Sequence, residues 1–120
     1  MELTREQAIT EHRKMWRWIA EQYIGKDDIY YMNPYRFKQI YLYKNGYNSS
    51  LIHSCCFLCE YVKKWKNCDK CPLDWGISKS CIGDSKNDGL YKQINTYYYE
   101  ENYKKCAELA RQIAELPEKQ

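Results

Sequence analysis

Seven cysteines stand in this chain, and four of them form two C-x2-C pairs, Cys56-Phe57-Leu58-Cys59 and Cys68-Asp69-Lys70-Cys71. Each pair can turn two thiolates toward one ion, and four thiolates satisfy tetrahedral zinc. The spacing therefore predicts a structural zinc site on Cys56, Cys59, Cys68 and Cys71. Two neighbours compete for the last place. Cys55 adjoins Cys56, and Cys81 follows Cys71 closely enough to replace a ligand. In the Cys68–Cys71 tetrad, turn N–H groups can donate to the sulfurs, which orients and steadies metal-bound thiolates. Pro72 then leads the chain away in extended form.

A four-thiolate site is closed and electron-rich. Catalytic zinc keeps one open position, usually with histidine or carboxylate ligands. The zinc deaminases need H-x-E with P-C-x-x-C. Here Pro72 follows its pair, and His53 has Cys55 rather than a glutamate two positions on. No acid–base constellation can be named, so the chain is not expected to be an enzyme.

The elements that position these cysteines read as helices. Residues 4–24 place Ala8, His12, Met15, Trp16, Ile19 and Tyr23 on one stripe. Thr4 and Gln7 have capping-box spacing. His12 lies on that stripe and reads as a hydrogen-bonded core histidine. Pro34 suits the first turn of a second helix, 34–44. The rival there is a short β-hairpin near 40–50, with Asn45-Gly46 at its tip. A third helix, 50–66, carries Cys56 and Cys59. Residues 67–90 are irregular. The last helix, 91–116, sets Tyr99, Tyr103, Cys106, Ala110 and Ile113 at steps of four and three, a seam in which Cys106 is core. The expected fold is mainly α: one small domain over 1–120, of about four helices, stapled by the cysteine site.

Net charge is only +3, beside thirteen tyrosines and four tryptophans. There is no dense basic arm to dominate phosphate binding and no acidic surface to imitate DNA. No apolar run approaches the roughly 18 residues of a membrane span. The Met1–Glu6 start has no apolar signal region, so a reducing, cytoplasmic setting is expected. Tyrosines interleaved with Arg36, Lys38 and Lys44 suit a protein-binding face. Tyr35, Arg36, Tyr41, Tyr43 and Tyr47 are its candidates. With Lys63, Lys64 and Lys66, tyrosines also suit a nucleic-acid surface, the alternative reading.

The first-helix run from Leu3 to Glu21, the block Cys56-Phe57-Leu58-Cys59-Glu60-Tyr61, the block Cys68-Asp69-Lys70-Cys71-Pro72-Leu73-Asp74-Trp75-Gly76, Gly89-Leu90-Tyr91, and Ala110–Pro117 occur in this order. In these the chain resembles a family of small proteins from phages and prophages of Gram-positive bacteria. The resemblance spans most of the chain and is weakest over 26–50. It implies a Zn2+-binding protein working in the cytoplasm of a bacterial host. Phage proteins of this kind include anti-CRISPR proteins that inhibit the type II RNA-guided DNA nuclease. The implied partner is that nuclease, met by a monomer through protein contacts rather than DNA mimicry, with blocked DNA loading or cleavage as the result.

Overall fold

A computed structural model describes residues 3–24, 31–48, 56–62, 71–76, 80–83 and 86–119. It is mainly helical: α1 Arg5–Gln22, α2 Pro34–Lys44, α3 Phe57–Val62, α4 Leu90–Tyr99 and α5 Tyr103–Ala114. The α1 helix lies against α5 and α3, α5 also packs on α4, and α2 touches α1 and α4.

The capping box is present. Gln7 N–H donates to Thr4 Oγ1 at 3.1 Å, and Thr4 N–H to Gln7 Oε1 at 2.9 Å. These satisfy donors that a helix start leaves without partners. The stripe is inward as expected: Ala8, Ile9, His12, Met15, Trp16, Ile19 and Ala20 are buried. They meet Cys106, Ala107, Leu109, Ala110, Ile113 and Ala114 of α5. The alanines let the two helices come close.

The hairpin alternative is corrected. Asn33 caps α2 by accepting Arg36 N–H at 2.8 Å, and the helix runs through Tyr41–Lys44, where the first hairpin arm would lie. Asn45-Gly46 ends this helix rather than turning a hairpin. Gly46 has φ +80°, Tyr47 N–H reaches Leu42 C=O at 2.9 Å, and Gly46 N–H reaches Tyr43 C=O at 3.3 Å. That pair of bonds is a Schellman ending, which needs a left-handed residue after the cap. No strand occurs among the described residues.

The expected single helix over 91–116 is two helices. The same ending recurs: Asn102 N–H bonds Tyr97 C=O at 2.9 Å and Glu101 N–H bonds Tyr98 C=O at 3.0 Å. The left-handed residue is now Glu101, φ +59°. Asn102 then caps α5 by accepting Lys105 N–H at 3.3 Å. Tyr99 is consequently 77% exposed, outside the seam that Cys106, Ala110 and Ile113 do form. A side chain in the left-handed region carries a steric cost that glycine avoids. Glu101→Gly relieves about 1–2 kcal/mol of left-handed strain against about 0.5–1 kcal/mol of extra chain entropy, so a net gain of under about 1 kcal/mol is expected, read as a raised midpoint in urea unfolding; a lowered midpoint would contradict this account.

The chain's end ties down the segment after Cys71. Asp74 N–H bonds Pro117 C=O, and Lys119 N–H bonds Pro72 C=O, both at 2.8 Å. Arg5 pairs with Glu118 at 2.6 Å. Arg13 donates to Leu116 C=O at 2.9 Å. Leu73 is thereby fully buried and Trp75 is 8% exposed.

Candidate metal centre

Cys56 immediately precedes α3, and Cys59 sits in its first turn. Glu60 N–H donates to Cys56 C=O at 2.9 Å. The Cys59 thiol and the backbone N–H groups of Cys59 and Leu58 favour the thiolate form of Cys56. Helix N-terminal donors stabilise a thiolate. Cys56 is accordingly held down at about 6, by the Cys59 thiol first, then by the nearby Lys38 cation and those amides, against the opposing effect of burial. Cys59, whose proton is shared with Cys56, is pushed well up.

Two further thiols interact electrostatically with this pair. Cys71 accepts the Trp75 indole N–H at 3.4 Å. Its pKa is raised, by burial above all, while Leu73 N–H and Trp75 work the other way and Cys56 adds to the rise. Cys81 is half-buried. Its carbonyl accepts Tyr91 N–H at 3.0 Å from the first turn of α4. Gly89 fits against that carbonyl, since a Cβ there would lie 2.2 Å from Cys81 O. The charge on Cys81 adds to the rise at Cys59.

Lys38 is buried in α2. The sequence set it with Arg36 and Lys44 among the tyrosines of a binding face, yet it is 7% exposed. Its Nζ stands 4.2 Å from the centre of the Tyr91 ring and 5.5 Å from that of Trp16. Burial works against its charge, but Cys56, Tyr91, Cys81 and Cys59 outweigh it and hold the pKa above the ordinary lysine value. A lysine stem facing inward on α2 was the available signal, and the ambiguous register of that tyrosine-rich helix hid it.

Among the described residues, no three His, Cys, Asp or Glu side chains stand at common ligand distance. Of the expected ligands, Cys56 and Cys59 stand together at the start of α3, and Cys71 opens the segment that Pro117 and Lys119 secure. Cys68, the remaining expected ligand, lies outside the described residues, as do Cys55, His53 and the Lys63, Lys64, Lys66 cluster. The donor set is sulfur throughout, which suits zinc.

Cys106 is apart from this group. It is fully buried, its thiol directed at Ile94 C=O at 3.6 Å. Cys106→Ser is therefore expected to leave metal content unchanged, checked by metal analysis of the purified variant; stoichiometric loss would place Cys106 among the ligands.

The expected binding face divides. Tyr35 is 45% exposed, Tyr43 is 85% exposed, and Arg36 is exposed between them. With Gln39, which accepts from Arg36 at 3.3 Å, these residues form one outer stripe of α2. Tyr41 is withdrawn from it: at 6% exposed, it packs on Trp18 and Phe57. Tyr47 is half-buried edge-on against Phe57.

These features define a small helical protein with an internal cysteine group, and no described helix is long and apolar enough to cross a membrane. Comparison with protein-family models, curated proteins and solved structures yields no match.

Proposed function

We propose that this chain is a zinc-stapled binding protein that acts by docking on another protein. The reading is supported by Tyr35 and Tyr43, two large aromatic side chains left exposed on α2, and by the Cys56-x2-Cys59 pair at the start of α3. Cys56 and Cys59 hold Zn2+ with two of Cys68, Cys71 and Cys81. Four thiolates leave no position for substrate, so the metal supports the fold. Action then falls to the surface. Tyr35, Arg36 and Tyr43 present the residue types that anchor protein interfaces.

The narrower reading names the partner as the type II RNA-guided DNA nuclease of the bacterial host, and rests on the phage-family resemblance. With a net charge of +3, the chain does not imitate DNA, and docking on a protein surface of the nuclease is the fitting mode. The test passes purified nuclease, with and without guide RNA, over the immobilised chain, beside DNA-loading and cleavage assays. Co-elution with lost loading or cleavage supports the reading. Tyr43→Ala together with Tyr35→Ala should abolish both effects while leaving the metal bound. Full cleavage without co-elution overturns the partner. Salt-sensitive binding of DNA alone would favour a nucleic-acid role.

A further inference from the structure

We propose that the tail, residues 116–119, is a latch over residues 72–75 that opens as one unit while the helices stay folded. The inference needs neither a metal nor the identity of a partner. The α5 helix ends at Ala114. Proline disfavours helical geometry in the residue before it, so Pro117 makes the chain leave the helix extended. The extended tail lies antiparallel to the earlier segment, with Leu73 opposite Glu118. Asp74 N–H donates to Pro117 C=O on one side of that pair, and Lys119 N–H donates to Pro72 C=O on the other.

The contacts that hold the tail lie at the surface, whereas what it covers is core. Pro117 and Glu118 are exposed. Arg5 clasps the joint from the start of α1: one guanidinium nitrogen pairs with Glu118 at 2.6 Å, and the other donates to Lys119 C=O at 3.1 Å. The side chains of that pair are 40% and 48% exposed, and exposed pairs contribute little. Arg13 adds its bond to Leu116 C=O. Beneath lie Leu73, fully buried, and Trp75, whose indole N–H donates to the Cys71 sulfur at 3.4 Å. Few buried side chains and solvent-facing backbone bonds mark a segment that opens locally, well below the cost of global unfolding. The tail bonds the backbone on both sides of Leu73, at Pro72 and Asp74. Its release therefore frees the segment and uncovers an apolar strip of Leu73 and Trp75. The latch sets whether that strip is available.

Hydrogen exchange of the native full chain, followed by heteronuclear NMR, tests this on three protons: the amides of Asp74 and Lys119 and the indole N–H of Trp75. The three should share one protection factor, at least about tenfold below those of helical amides such as Ile19 and Ala110. Arg5→Gln removes the charged donor and should lower all three protection factors together by about a further tenfold, leaving Ile19 and Ala110 unchanged. Protection of the three equal to that of the helices overturns the proposal, since the tail would then open only with the whole fold. Asp74 and Lys119 exchanging independently of each other overturns it too, as does a Trp75 indole that does not follow them. An Arg5→Gln protein with native protection at all three positions removes Arg5 as the clasp and overturns the latch as described. Should Arg5→Gln fail to fold, Glu118→Gln replaces it under the same criteria, with a smaller expected drop.

Discussion

On the proposed zinc site, Cys59→Ser is expected to abolish metal binding and unfold much of the domain. Serine oxygen is a poor zinc ligand at neutral pH, and loss of one thiolate opens the centre. Binding of structural zinc amounts to about 10–16 kcal/mol in small zinc-dependent domains. Net stabilities of domains are only about 5–15 kcal/mol, so the metal term can decide whether the chain folds. The local contacts agree. Phe57 and Leu58, fully or nearly fully buried, lie between the two cysteines of the first pair, and α3 is only six residues long. A helix this short has little stability of its own. Without a metal to hold its start, Phe57 would leave Tyr41 and Tyr47, against which it packs. Cys71→Ser is expected to act in the same direction, by loosening the segment that Pro117 and Lys119 secure. Zinc stoichiometry and thermal melting by circular dichroism check this. A Cys59→Ser protein with full zinc and a native melting curve would remove Cys59 from the site.

The second large effect is acid sensitivity through His12. It is 1% exposed, and among the described residues neither ring nitrogen has a hydrogen-bond partner. It lies edge-on to Trp75 at 6.1 Å and tilted to Trp16 at 6.4 Å. The nearby backbone of Ile113 favours the proton, but burial, Lys38 and Arg13 oppose it, and the pKa falls from 6.5 to about 3. The folded pKa lies below the unfolded one, so the unfolded chain binds the proton more readily. Stability from neutral His12 is complete above about pH 6.5 and is lost as pH falls toward 3. The slope is about 1.4 kcal/mol per pH unit within that window. Urea unfolding of native protein and His12→Leu between pH 7 and 4.5 isolates this contribution, because acid release of any bound metal is common to both. The native protein should lose stability more steeply by about that slope; parallel curves would show that His12 does not titrate this way.

Much of the local structure was legible in the sequence, because caps and stripes depend on residues within one or two turns. Thr4 with Gln7 marks the start of α1, and the 3.6-residue period marks its buried face. Cys106, Ala110 and Ile113 likewise announced the seam of α5. The break before that helix escaped, although its signal, Asn102, is local. Tyr99 and Tyr103 keep the seam's spacing across it, and the left-handed residue is a glutamate where a glycine would have been noticed. Asn45-Gly46 misled in the opposite sense, since one dipeptide suits both a hairpin and a Schellman ending; the bonds to Leu42 and Tyr43 decide between them.

The sequence by itself determined the cysteine pattern, the helical character and the near-neutral charge, all properties of residue type and short spacing. The tertiary structure alone decided which way α2 turns. That rotation is set by Phe37 and Tyr41 packing on Trp18, residues far apart in the chain. It buries Tyr41, leaves Tyr35 and Tyr43 outward, and sends Lys38 inward over the Tyr91 and Trp16 rings. It could not be read beforehand because a helix with tyrosines on several sides has no single apolar stripe, and its orientation follows from the surfaces that surround it.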